Sequence, residues 1–297
     1  MIPSEPGQFQ DDWKLLKSKY PVVDTTDRSV VRKWWLRQAG VSEKNGRWFA
    51  VAWHLDRLIA ETPDQPDYRR RKAVASAQLR DWQGSANEAA KAILLQPESP
   101  DNWYQAGVAL GQLGDWDGSA AYLSKAMQLR ADPTSAVGLL PLVRLQANDR
   151  EGYQKACRDL ADFYRGTHEA NEAQRVAWVC SLSPDSGIDP QQVLKLAEVG
   201  TIASDFATTV MGASLLRAGR FEEAATKLKA SCESKAERPT AWLIYSLLQN
   251  RLGHAPDAKI WREKAEMWLK RETKPGQVPP AWDTRAEVEI LLREASR

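Results

Sequence analysis

The chain has 297 residues, 43% of them apolar and 27% charged, which suits a water-soluble fold of one extended array or more than one domain. With 41 Lys plus Arg against 39 Asp plus Glu, the net charge is only +2, so no bulk electrostatic pull toward nucleic acid or an acidic membrane is expected. Three scattered cysteines, Cys157, Cys180 and Cys232, form no CxxC pair and exclude a disulfide framework or a zinc site of the usual spacing.

The N-terminal stretch has no basic region followed by an apolar one, and no apolar run approaches the ~20 residues of a membrane span. A cytoplasmic protein without membrane or nucleic-acid partners is the expectation. Arg28–Gly40 and Asn45–Glu61 read as two helices that form a divergent leading unit, so residues 1–65 are assigned as a lead-in and cap.

A period then begins. The string Gln78-Leu79-Arg80-Asp81-Trp82-Gln83-Gly84-Ser85-Ala86 recurs 34 residues later as Gln112-Leu113-Gly114-Asp115-Trp116-Asp117-Gly118-Ser119-Ala120, with seven of nine positions identical. The same offset relates Ala92 to Ala126, Leu95 to Leu129, Gly219 to Gly253 and Ala224 to Ala258. A fixed 34-residue period marks helix–turn–helix repeats whose apolar faces are buried only by stacking on neighbours.

Within Asp101–Leu113, Trp103, Ala106, Gly107 and Leu110 fall on one helical face. Gly107 is expected to admit a closely packed partner helix, on which Ala120, Leu123 and Ala126 face inward. Pro133 stops that second helix.

About six units are expected over residues 66–272: Pro66–Glu98, Ser99–Asp132, Pro133–Thr167, His168–Ser204, Asp205–Arg238 and Pro239–Glu272. Asn148-Asp149 takes the turn position of the third unit, and Pro141 is expected to kink its first helix. The stretch from Ser183 to Pro190 absorbs three extra residues in the fourth. Residues 273–297 read as a Pro-rich linker and a C-terminal capping helix, Ala281–Ser296. The fold class is therefore all-α, a right-handed α-solenoid. The 13 tryptophans recur along it mainly as packing residues.

The periodic segments resemble the tetratricopeptide-repeat superfamily. Trp48–Pro66, Val176–Pro190 and Gly212–Ala224, with Trp13–Leu16 and Lys19–Pro21, resemble the C-terminal tails of large bacterial WD-repeat and serine/threonine kinase proteins. The resemblance implies a helical interaction module of a scaffolding or signalling protein.

No chemistry is expected. The Gly-rich loop, HRD and DFG of a kinase are missing, as is a phosphate-binding GxxxxGK[ST]. His54, His168 and His254 lie far apart, and His54 and Asp56 do not share a helical face. Catalytic residues, metal ligands and cofactors are all read as none.

The expected partner is a protein or peptide held in the concave groove lined by the first helices. Candidate contacts are Arg70, Val74, Tyr104, Gln105, Val108 and Gln112, with Ala77, Leu139 and Leu142 on the same face. Arg70 and Arg71, near Tyr104, offer charge-assisted hydrogen bonds to an acidic segment. A clamp for chaperone tails wants Asn four residues after the basic residue; Val74 stands there instead. A regulatory subunit or detached tail of a kinase or WD-repeat protein is the alternative role.

Overall fold

The computed structural model describes residues 27–129, 138–166, 169–199, 204–233, 236–276 and 279–297. Trp13, the strings 13–16 and 19–21, Pro133, His168, Gln277 and Val278 lie outside the described residues. The described residues are all-α, with no strand among them.

Two compact units, residues 1–131 and 132–297, are built from helical hairpins. The first contains α1 (Arg28–Lys44), α2 (Trp48–Glu61), α3 (Pro66–Gln78), α4 (Trp82–Leu95), α5 (Pro100–Leu113) and α6 (Trp116–Leu129). The second contains α7 (Leu139–Gln146), α8 (Arg150–Phe163), α9 (Ala170–Ser181), α10 (Pro190–Val199), α11 (Asp205–Arg217), α12 (Phe221–Glu233), α13 (Pro239–Arg251), α14 (Ala255–Glu272) and α15 (Trp282–Ala295). Helices pair as first and second members, α1 with α2 through α13 with α14, and α15 is left over.

The repeat is written most sharply in the turns. Left-handed backbone occurs at Gly46 (φ 65°), Arg80 (63°), Gly114 (79°), Asn148 (57°), Gly219 (75°) and Gly253 (81°). The first four are spaced by 34 residues and the last two again by 34. The turn of the α1–α2 hairpin is thus in phase with those of the array, and its first helix runs past Gly40 to Lys44. After three of these turns an aspartate caps the next helix. Asp81, Asp115 and Asp149 accept from the amides of Gly84, Gly118 and Gly152 at 2.9, 3.0 and 2.8 Å.

Close approach within a hairpin depends on glycine. A Cβ on Gly107 would come within 2.8 Å of Leu123, and one on Gly212 within 2.4 Å of Leu228. The Ser119 hydroxyl donates to the Gly107 carbonyl at 2.7 Å across the same contact. Ala120, Leu123 and Ala126 are buried, as their spacing requires.

Pro141 does not kink a helix. α7 starts only at Leu139, so Pro141 lies in its first turn, where an amide hydrogen has no intrahelical acceptor to lose. The loop between Ser181 and Pro190 accounts for the lengthened fourth unit.

In the first unit one core cluster joins Ala39, Val51, Leu55, Leu58 and Ala75. In the second, Leu142, Val143, Tyr153, Leu160, Leu228, Ile244, Leu248 and Leu291 are all but inaccessible.

Candidate functional surfaces on the first helices

In the first unit the candidate contacts fall on the first helices α3 and α5. Arg70 is 37% exposed and pairs with Asp67 one turn earlier at 2.5 Å. Val74, Tyr104, Val108 and Gln112 are half-buried. Gln105 donates to the buried Ser85 hydroxyl at 3.1 Å, which ties α5 to α4. Leu139 and Leu142 belong to the second unit, and Leu142, only 1% exposed, is a core residue.

The basic run from Arg69 to Lys72 is neutralised within the first unit. Arg69 meets Glu88 at 2.9 Å. Arg71 holds Glu43 in a two-pronged contact at 2.8 and 3.0 Å. Lys72 reaches Asp56 at 2.5 Å and Glu88 at 3.6 Å. Although burial raises the Glu88 carboxyl, hydrogen bonds from Arg69 and Lys91 and the nearby charges hold it below the usual range. Four cations thus face Glu43, Asp56, Asp67 and Glu88, and the run offers little net charge to a ligand.

His54, on α2, is 6% exposed, with Trp34 and Trp53 meeting its ring edge-on at 5.4 and 4.9 Å. Desolvation, helped by Arg57, lowers its pKa to about 4, so the ring is neutral near pH 7. Among the described residues its Nδ1 has no hydrogen-bond partner. Of the described tryptophans, Trp178, Trp242 and Trp282 are buried and the rest half-buried, and Trp103 donates to the Pro97 carbonyl at 2.7 Å.

In the second unit the first helices carry an occupant. α15 packs against α7 and α13 and is linked by side chains to α9 and α11. The buried Gln146 amide donates to the Ala286 carbonyl at 3.2 Å and to Glu289 at 3.0 Å, and accepts from Arg293 at 3.0 Å. The Trp178 indole donates to Glu287 at 2.7 Å. Arg217 grips Glu294 through both nitrogens at 2.6 and 2.7 Å, while its Nε donates to the Ser181 carbonyl at 2.8 Å.

Desolvation raises Glu287 to about 7, against the Trp178 hydrogen bond that opposes it, and Asp283 raises it further. Next to the C-terminal half of α15 lies a cleft of about 300 Å³, floored by Leu145, Leu182, Pro184 and Ile290 and rimmed by Arg293 and Arg297.

Cys157, Cys180 and Cys232 are all buried thiols. Cys180 is pushed up chiefly by its contact with Cys157, and burial pushes Cys232 up to about 12, so neither is a thiolate at neutral pH. No group of three His, Cys, Asp or Glu side chains able to hold a metal occurs among the described residues. No described helix is long and apolar enough to cross a membrane.

No protein-family model and no curated protein matches the sequence. Among solved structures the chain is similar to a tetratricopeptide repeat protein from Parabacteroides merdae, with a TM-score of 0.59, 7% identity, and coverage of 90% of this chain and 99% of that one. It is also similar to the APC/C hetero-tetramer Cut9–Hcn1, with a TM-score of 0.53, 11% identity, and coverage of 97% and 52%. At these identities the likeness is one of fold, and the fold is all-α, made of tetratricopeptide-type helical hairpins.

Proposed function

We propose that the chain is a non-catalytic interaction scaffold that holds a protein or peptide segment against the first helices of its repeats. The observation that carries this reading is α15, a helix seated across first helices of the second unit through hydrogen bonds from Gln146, Trp178 and Arg217. A surface that seats a helix of its own chain has the shape and polar groups to seat another. In the first unit the equivalent face holds Arg70, Val74, Tyr104, Gln105, Val108 and Gln112, and among the described helices only α4, the hairpin helix between them, packs against both α3 and α5. Because the basic run is neutralised from within, apolar and aromatic contact at Val74, Tyr104 and Val108 is the expected source of affinity there.

Affinity capture of the tagged chain from a native cell extract, at low and moderate salt with mass spectrometry, tests the reading. One stoichiometric protein is expected at both salts, with at least tenfold less retained by a Tyr104→Ala, Val108→Ala double variant. Retention no greater than that of an unrelated repeat protein at either salt overturns the reading. The likeness of residues 48–66, 176–190 and 212–224 to kinase and WD-repeat tails supports a signalling role as the second reading. A kinase or WD-repeat protein as the captured partner selects it.

A further inference from the structure

We propose that the outward face of α1 is a docking surface for a membrane leaflet rich in anionic phospholipid. The proposal does not rest on the scaffold reading, and it uses none of the candidate contacts on α3 and α5.

Along α1 and into the turn that follows, residues 28–47 carry six cations, Arg28, Arg32, Lys33, Arg37, Lys44 and Arg47, against one carboxylate, Glu43. That excess is larger than the net charge of the whole chain, so the other residues are net acidic and the overall balance conceals the patch. All six cations are exposed, and none forms an ion pair among the described residues. Glu43 is held by Arg71, and Asp27, at the N-cap, accepts from the Ser29 amide at 2.8 Å. In the run from Arg69 to Lys72, by contrast, every cation has found a carboxylate. Arg28 stands at the positive end of the α1 dipole with no acid in that first turn, an arrangement that helix stability does not favour.

The cations are interleaved with apolar side chains. Val30, Lys33, Trp34, Arg37, Val41 and Lys44 recur at spacings that bring them to one side of the helix, opposite the buried Val31, Ala39 and Ser42. Val30 and Val41 are exposed, as is Leu36 on the flank, while Trp34 is half-buried against His54. From Val30 to Lys44 the stripe runs about 21 Å. Such a face fits a plane of headgroups, where phosphates meet the cations and the upper acyl carbons receive valine and leucine at nearly the same depth. A nucleic acid would satisfy the cations but leave the aliphatic side chains in water. A peptide helix asks for a groove, whereas α1 opens the described array as a ridge, with α2 packed on its buried side. The net acidic remainder of the chain is repelled by the same leaflet, which turns α1 toward it. Attachment is peripheral, since no described helix is long and apolar enough to cross a bilayer.

The test is co-sedimentation of the full-length chain with phosphatidylcholine vesicles, with or without phosphatidylglycerol, at low and moderate salt. At low salt, at least tenfold tighter binding is expected to the vesicles that contain phosphatidylglycerol, and salt is expected to weaken it by screening. An Arg37→Glu, Lys44→Glu variant is expected to lose at least tenfold, and Val30→Ser, Val41→Ser to remove the part that survives moderate salt. Lys227→Glu, Lys229→Glu on α12 changes the net charge equally and is expected to keep binding. No binding to either vesicle, or equal loss in the two charge-reversed variants, overturns the proposal. So does α1-dependent binding of a labelled single-stranded RNA by a chain that ignores vesicles, or a dimer, read by light scattering, that Arg37→Glu, Lys44→Glu dissolves. Should a variant fail to fold, amide exchange in the wild-type chain decides. Vesicles are expected to slow exchange across residues 28–44 at least tenfold and to leave α13 unchanged, and no slowing in α1 sinks the proposal. The Tyr104→Ala, Val108→Ala variant is expected to keep vesicle binding, so this proposal and the scaffold reading fail separately.

Discussion

At the scale of single residues, the turns show where conformation outranks chemistry. The left-handed position is filled by glycine at 46, 114, 219 and 253, but by arginine at 80 and asparagine at 148. A side chain there costs about 1–2 kcal/mol, and asparagine bears the cost better than arginine. Arg80→Gly is accordingly expected to raise stability by about 1 kcal/mol, seen as a higher urea midpoint at unchanged slope; a lower midpoint would mean that Arg80 makes a compensating contact. The opposite sign holds where glycine is needed for space. Gly212→Ala sets a methyl 2.4 Å from the fully buried Leu228 side chain and is expected to cost about 1–3 kcal/mol by chemical denaturation.

At the scale of elements, the hairpins were legible because their signals are local. Glycine at the turn, aspartate at the cap and alanine or glycine at the contact recur at one spacing, and a string comparison finds them. The first hairpin was harder to place: Arg47 stands where Asp81, Asp115 and Asp149 cap their helices, and only the backbone at Gly46 reveals the phase. Of the candidate site, the face itself was readable from helical spacing, but the fate of its charges was not. Arg69 and Arg71 find their carboxylates 19 and 28 residues away, on other helices, and nothing local announces the pairing. The last helix poses the same problem. Its amphipathic pattern says that Trp282, Ala286, Ile290 and Leu291 bury a face, yet a pattern on one element does not name the surface that receives it. Gln146 lies 140 residues from the Ala286 carbonyl it binds.

At the scale of the whole molecule, the two units carry titrating groups of opposite sense. In the first, His54 is lowered to about 4 from an unfolded value of 6.5, so between those values the unfolded chain binds more protons, and stability is lost as pH falls. In the second, Glu287 is raised to about 7 from 4.5, so over that range the folded chain binds more protons, and stability is lost as pH rises. Glu287→Gln keeps an acceptor for the Trp178 indole and removes the ionisation. It is expected to stabilise the second unit by roughly 1–3 kcal/mol at pH 7.5 and by little at pH 4.5. Amide exchange followed on α11 and α13 at both pH values reads that gain, while α2 and α3 serve as the internal control and should not respond. An equal gain at both pH values would show that the side chain is disfavoured for its shape rather than its charge. A gain confined to pH 7.5 would tie the hold of α15 to protonation of one carboxyl, so that the second unit grips its own helix more firmly as the solution turns acid, in the range where the first unit weakens through His54.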